Sequence, residues 1–186
     1  MSKSFLGVPN LPRGVRNNNP GNLVATTIGW QGKIPLPQNT DKHFEQFTEV
    51  KFGIRAMFRD LLNDISKGKN TVEKLISEYA PSFENNTTSY VNQVAQSLGL
   101  SPDEKITQVT EDFLLKLGKI IIRVENGSVV ERYISDEDIK EGISIIGDTT
   151  GYGIQIGKDK NALIKKAIEL LQSALLIAFT GFCLFF

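Results

Sequence analysis

Apolar residues recur at intervals of three and four along most of the chain. Residues at that spacing share one face of a helix, so the pattern predicts a series of amphipathic helices. It is uninterrupted over residues 51–66, and similar stripes predict helices over residues 70–81, 91–99, 113–127 and 135–146. Asn70 and Glu73 mark the predicted start of the second helix, and residues 101–104 (SPDE) carry the capping signals of a further short helical turn. We therefore predict a mainly helical domain.

The region ahead of these helices has a different pattern. Residues 13–23 read RGVRNNNPGNL, a stretch too rich in asparagine, glycine and proline for regular structure and typical of tight turns. Residues 24–28 and the aromatic segment 43–47 are predicted short strands, and the turn region between them contains the only tryptophan, Trp30. A tryptophan beside several amides is a common way to grip a sugar, and it is as often a core residue. The chain thus combines a helical bundle with a small β/turn lobe, an α+β arrangement.

The predicted helix 113–127 has signals at both ends and an acid in its last turn. Thr110 supplies an N-cap hydroxyl, and Gly127 stands where a helix often has a left-handed residue. At about 100° per residue, Glu125 lies at the edge of the apolar stripe, where aliphatic neighbours would raise its pKa and suit it to general acid catalysis. The same Glu-Asn-Gly ending also closes many helices that do no chemistry. The stripe consists of Phe113, Leu117, Ile120, Ile121 and Val124.

Composition excludes several classes of site. Lysine and arginine total 21 and aspartate and glutamate total 21, so no net charge indicates a nucleic-acid partner. One cysteine, Cys183, and one histidine, His43, are too few for a disulfide or a Cys/His zinc site. His43 is the single histidine base available, and beside Phe44 it is more often a packing residue. No metal or cofactor is expected, and acid chemistry would come from carboxylates.

The two ends of the chain have distinct patterns. Residues 1–12 are predicted to be an irregular N-terminal arm, without the apolar run of a cleavable export signal. Residues 148–160 are rich in glycine and predict a linker, since their glycines lack the spacing of a dinucleotide-binding loop. Residues 161–186 begin as an amphipathic segment and end in an uncharged apolar run, SALLIAFTGFCLFF, that is shorter than the roughly 20 residues of a membrane-spanning helix. This tail is expected either to dock on the domain or to bind a membrane or another protein.

Three stretches resemble the lysozyme-like superfamily, and within it the virion-associated lysins and lytic transglycosylases of bacteriophages. GKIIIRVENG resembles the helix that ends in the catalytic glutamate of those enzymes. RNNNPGNL, with the following GWQG and HFEQF, resembles their substrate cleft, and YAPSFENNTTSYVNQV resembles a loop and helix that bring a tyrosine near the acid. In most of the superfamily the glutamate-bearing helix comes first, so the resemblance implies a circularly permuted, lysozyme-like bundle around that helix. It covers residues 13–147.

The resemblance also implies a function and a set of residues. Glu125 would be the catalytic acid, and Asn19, Asn22, Trp30 and Tyr90 would line the substrate cleft. The protein would be a peptidoglycan muramidase that cleaves the bond between N-acetylmuramic acid and N-acetylglucosamine in the glycan strand. As part of a phage particle it would reach the cell wall and periplasm of the host during infection, which would explain the missing export signal.

The carboxylates leave the type of cleavage open. Glycoside hydrolysis usually requires a second carboxylate, and Glu84 is the best candidate, ahead of Asp41 and Glu45. A lytic transglycosylase needs only one glutamate, which acts as acid and then as base, and this is the leading hypothesis. The alternative is a non-catalytic structural virion protein on a lysozyme-like scaffold. A further possibility is a membrane-active protein in which the apolar tail, residues 161–186, binds the membrane or other virion proteins.

Overall fold

The computed structural model describes residues 3–80 and 87–149, and it is mainly helical, as predicted. The predicted apolar tail, most of the predicted linker and Glu84 lie outside these ranges. The described helices are α1 (Arg13–Arg16), α2 (Val50–Ser66), α3 (Val72–Tyr79), α4 (Thr87–Leu98), α5 (Glu111–Asn126) and α6 (Asp136–Ser144), with a 3₁₀ turn over Ser128–Arg132.

Helix α2 is the central element of the core. It packs against α3, α5 and α6, and its apolar face is completely buried along most of its length. Two glycines allow the neighbouring helices to approach it closely. A Cβ atom at Gly118 of α5 would lie 2.7 Å from Cζ of Phe58, and one at Gly142 of α6 would lie 2.7 Å from Cβ of Ile54. Close packing on α2, together with the contacts of α5 with α4 and α6, therefore fixes the position of α5 and of the acid in its last turn.

Helix α5 begins and ends where the sequence indicates, but its buried face is rotated. The Thr110 hydroxyl accepts a hydrogen bond from the Phe113 backbone N–H at 3.0 Å, and Gly127 has a φ of 75°. Phe113, Ile120 and Val124 of the predicted stripe are only half-buried. Because α4 and α6 cover α5 from two sides, burial follows those contacts. The buried positions are Leu114, Leu117, Gly118, Ile121 and Ile122.

Two helix starts differ from the sequence-based expectation. Helix α3 is capped by Thr71, not Asn70, because the Thr71 hydroxyl accepts the hydrogen bond from the Lys74 N–H at 3.2 Å. Ser101 and Glu104 do not start a helical turn. The Ser101 backbone N–H donates to the Glu104 carboxylate at 3.0 Å, which closes a simple turn. The capping signal there is satisfied without a following helix.

The start of α6 was predicted correctly. The Ser135 hydroxyl accepts a hydrogen bond from the Asp138 backbone N–H, and the Asp138 carboxylate accepts one from the Ser135 N–H, which completes a capping box. Asp138 also forms an ion pair with Lys3 of the N-terminal arm. The arm is anchored a second time where the Val50 N–H donates to the Lys3 carbonyl at 2.9 Å. The irregular arm is therefore held against α2 and α6.

The predicted β/turn lobe has turns and isolated bridges but no strand among the described residues. Antiparallel bridges join Val24 to Phe44 and Lys33 to Phe47. Asparagine side chains take the place of a neighbouring strand here. The Asn18 amide donates to the Phe47 carbonyl at 2.9 Å, so backbone groups that a sheet would satisfy are satisfied by side chains.

The asparagine-rich stretch also differs from the expectation of turns alone. Its first four residues form the short helix α1, and the three asparagines that follow, residues 17–19, are buried. Asn18 and Asn22 have φ values of 52° and 50°, the left-handed conformation that asparagine tolerates better than most residues. Hydrogen bonds from the Asn18 N–H to the Val15 carbonyl and from the Asn22 N–H to the Asn19 carbonyl close two turns, and Asn22 lies beside the end of α5.

Candidate active site

Glu125 is half-buried in the last turn of α5, and two side chains from distant segments hold its carboxylate. The Tyr90 hydroxyl donates to Oε1 at 3.1 Å. The Asn22 amide donates to Oε2 at 3.1 Å and to the Glu125 backbone carbonyl at the same distance. The structure thus brings together three residues that the sequence analysis assigned to one site, although they are far apart in the chain.

Two tyrosines accompany the acid, and both are neutral hydrogen-bond donors. Burial raises the pKa of Tyr90 far above its ordinary value, and the charge of Glu125 raises it further. The pKa of Tyr79 is raised in the same way, by burial first and then by the charges of Glu125 and Asp60. The Tyr79 hydroxyl donates to the carbonyl of Gly21. Tyr90 contacts the acid but, contrary to the prediction, does not line the cleft beside it, whereas Tyr79 lines the cleft and supports the turn at Gly21.

A pair of asparagine amides packs against Gly14 and fixes this turn to the end of α5. The Asn126 amide donates to the Pro20 carbonyl at 2.7 Å. The Oδ1 atoms of Asn22 and Asn126 are buried and have no hydrogen-bond partner within residues 3–80 and 87–149, and both lie where a Cβ atom of residue 14 would be. A Cβ atom there would be 2.6 Å from the Asn22 oxygen and closer still to the Asn126 oxygen. Gly14 therefore provides the space in which Asn22 can reach Glu125.

Glu125 opens onto a cleft of about 720 Å³. The asparagine-rich turn, the β/turn lobe with Trp30, the C-terminal half of α2 and the end of α3 form its walls. Trp30 is half-buried, so part of its ring faces the cleft. A groove of about 770 Å³ between α5 and α6 contains none of the predicted site residues. The cleft beside Glu125 is thus the one that joins an acid, a tryptophan and amide groups.

One wall of the cleft carries carboxyl groups that the sequence analysis did not single out. Asp60 and Asp64 of α2 line the cleft, together with Lys67 and with Glu78 of α3. Burial, and after it the neighbouring charge of Asp64, raise the pKa of Asp60 to about 6. The spacing of Asp60 and Asp64, four residues apart on one helix face, was visible in the sequence. That this face borders the cleft follows only from the fold.

Other predicted site residues lie elsewhere. Asn19 is completely buried, and its amide donates to the carbonyls of Leu23 and Glu45 at 2.9 and 3.0 Å. Asn19 therefore holds the asparagine-rich turn to the β/turn lobe and does not line the cleft. His43 is exposed, contacts Phe44 edge-on at 4.6 Å between ring centroids, and does not line the cleft.

The weaker candidates for a second carboxylate are both engaged in the fold. Asp41 accepts two hydrogen bonds from the Arg13 guanidinium, at 2.8 and 2.7 Å, and this pairing holds the pKa of Asp41 well below its ordinary value. Glu45 is fully buried and forms an ion pair with Lys33 at 2.7 Å. Neither carboxylate lines the cleft. Glu84 lies outside the described residues and stays a prediction.

Comparison with known proteins gives one informative match. No established protein-family profile matches the chain. Over 134 residues the chain is 35% identical to protein P5 of Pseudoalteromonas phage PM2, a match that spans 70% of this chain and 79% of that protein. In residues 3–80 and 87–149, no helix has the length and apolar character needed to cross a membrane.

Proposed function

The chain belongs to the family of protein P5 of Pseudoalteromonas phage PM2, and from this premise we propose that it is a virion-associated peptidoglycan muramidase of the lytic transglycosylase type. The observation that carries the proposal is the arrangement around Glu125. A half-buried carboxyl with two neutral donors on its oxygens opens onto a cleft that also contains a tryptophan. A positioned carboxyl beside a cleft that contains an aromatic ring supports general acid catalysis on a bound sugar.

Glu125 performs both proton transfers in the proposed reaction. As an acid it gives its proton to the glycosidic oxygen, and the bond between that oxygen and the anomeric carbon of N-acetylmuramic acid breaks. The resulting carboxylate then takes the proton from the C6 hydroxyl of the same sugar, whose oxygen bonds to the anomeric carbon. The products are a 1,6-anhydro sugar and a shortened strand, and Glu125 is protonated again. No water is consumed.

Asn22 and Tyr90 orient the acid for these two steps. Each donates to a different carboxyl oxygen, so the plane of the carboxyl group is fixed before substrate binds. Such fixed donors need no reorganisation during the reaction. Trp30 offers an apolar ring face to a sugar in the cleft, the contact that aromatic residues commonly make with carbohydrates.

The test compares full-length wild type with Glu125→Gln on purified peptidoglycan, with mass spectrometry of the released fragments. Gln keeps the shape of the side chain but cannot exchange a proton, so anhydromuropeptides are expected from the wild type alone. Glu137→Gln is a matched control because Glu137 is exposed on α6 and does not line the cleft. Hydrated ends would indicate a hydrolase. Release of no fragments by any variant would overturn the proposal in favour of a structural virion protein.

A further inference from the structure

The polar face of α2 borders the cleft opposite the asparagine-rich turn. Asp60, Asn63, Asp64 and Lys67 recur at intervals of three and four, so they lie on one side of the helix, and all of them line the cleft that contains Glu125. No group of carboxylates in the described ranges is arranged to hold a metal ion. A metal site therefore does not explain the acids of this wall.

Asp60 and its neighbour Asp64 differ from three other acids that the fold buries. Asp41 is paired with Arg13, Glu45 with Lys33 and Asp138 with Lys3. Asp60 is half-buried, yet within residues 3–80 and 87–149 its carboxyl group accepts no hydrogen bond and forms no ion pair. Placing a carboxyl in a partly apolar site without a partner is unfavourable. A ligand bound in the cleft would supply the partner that Asp60 lacks.

Asp60, Tyr79 and Glu125 line the same cleft. The charges of Glu125 and Asp60 both act on the Tyr79 hydroxyl, which itself is fixed to the Gly21 carbonyl. Glu125 on α5 and Asp60 on α2 thus line one cleft from two different helices. A sugar bound beside Glu125 lies in the space that Asp60 also faces.

On the basis of the proposed function, we infer that Asp60 is a second catalytic carboxyl, which contacts the reacting muramic acid residue and stabilises the positive charge that develops at its anomeric carbon. Asp60 forms no covalent bond and transfers no proton in this role. When Glu125 protonates the glycosidic oxygen and the bond breaks, the anomeric carbon and the ring oxygen share a positive charge. A fixed negative charge in a cleft that excludes part of the solvent favours that state over the neutral substrate.

The charges around Asp60 determine at which pH it can act. Asp64 on the same helix and Glu78 on α3 raise its pKa, Lys67 lowers it, and burial is the largest influence, which together bring the pKa to about 6. Tyr79 is uncharged. Asp60 is therefore mostly ionised above pH 6, and below that pH the stabilising charge disappears. The rate is expected to fall on the acid side with a midpoint near the pKa of Asp60.

The experiment measures kcat and KM of the full-length protein on soluble glycan strands between pH 4.5 and 8. Asp60→Asn is expected to lower kcat roughly a hundredfold, the scale for removal of one preorganised electrostatic contact, while KM changes much less. The acid limb near pH 6 should disappear in this variant. Asp103→Asn, at an exposed position that does not line the cleft, serves as the control and should keep both the limb and kcat.

The possible results separate the two proposals. If the wild type is active and Glu125→Gln is inactive, but Asp60→Asn has the kcat and pH profile of the wild type, the role of Asp60 is overturned and the proposed function stands. If the wild type releases no fragments, both are overturned. Misfolding is excluded by the thermal midpoint of Asp60→Asn, which should be no lower than that of the wild type because the variant removes an unpaired half-buried charge. Asp60→Glu, which keeps the charge, should recover part of the lost kcat.

Discussion

Gly14→Ala tests whether the packing of two amides against α1 holds the acid in place. The added Cβ would lie 2.6 Å from Oδ1 of Asn22 and 2.9 Å from the Asn19 carbonyl, and closest of all to Oδ1 of Asn126. These atoms cannot simply turn away. Both amides are held by hydrogen bonds from their nitrogen atoms, and the carbonyl belongs to a buried turn.

The expected loss of stability follows from three opposed contributions. Replacing glycine by alanine inside a helix is favourable by about 1 kcal/mol. Overpacking a closely fitted site costs about 1–3 kcal/mol. If Asn22 moves, its hydrogen bond to the Glu125 carboxylate is lost, which costs about 1.5–3 kcal/mol. The clash and the lost bond together exceed the helix preference, so Gly14→Ala should lower the free energy of unfolding by roughly 2 kcal/mol.

The assay is urea unfolding of full-length protein followed by far-ultraviolet circular dichroism. Gly29→Ala is the control, because a Cβ atom at Gly29 meets nothing within 4 Å, and it should unfold like the wild type. In an Asn22→Ala background, where one of the crowded oxygens is absent, the effect of Gly14→Ala should shrink by about 1 kcal/mol. If Gly14→Ala is as stable as Gly29→Ala, the packing argument is refuted.

Two further outcomes are expected. Tyr90→Phe removes the hydroxyl that donates to Oε1 of Glu125 and should lower the rate of glycan release about tenfold. Tyr133→Phe, which leaves the cleft untouched, is the control and should not lower the rate. Equal rates for the two variants would show that the hydrogen bond does not orient the acid. Asp60→Asn should also change the dependence of stability on pH. Because the folded pKa of Asp60, about 6, lies above the unfolded value, Asp60 reduces stability as pH rises from about 4 to 6 and contributes no further change above that range. The full shift corresponds to about 3 kcal/mol, which partial exposure reduces to about 1 kcal/mol. The advantage of Asp60→Asn over the wild type in urea unfolding should therefore be larger at pH 7 than at pH 4, and an equal difference at both pH values would contradict this.

The helices could be predicted from the sequence because their determinants are local. The apolar spacing of α2 and the capping residues Thr110 and Ser135 each act within a few positions, and all three predictions agree with the structure. The buried face of α5 could not be predicted as well, because it depends on where α4 and α6 lie against it. Periodicity identifies a face, and tertiary contacts decide how far that face is rotated.

Only part of the site could be predicted from the sequence. Glu125 could be singled out because it ends an apolar helix, and Asn22 because its stretch resembles the substrate cleft of the lysozyme-like superfamily. Asn19 could not be separated from Asn22 in the sequence, since an asparagine side chain serves equally well as a ligand contact or as a substitute for backbone hydrogen bonding. Asp60 could not be predicted from the sequence for a different reason. An acid on the polar face of a helix is usually a surface residue, and only the packing of the other elements shows that Asp60 borders the cleft.

The contacts that hold Glu125 also determine when the site can exist during synthesis of the chain. Asn22 and Tyr90 precede Glu125 by 103 and 35 positions, so the turn and helices α1–α4 are synthesised before the acid itself. Closing contacts over such separations carries an entropic cost that only the packed domain offsets. A nascent chain that stops before α5 contains most of the walls of the cleft but lacks Glu125, and the hydrogen bond from Tyr90 forms only once α5 has packed against α4.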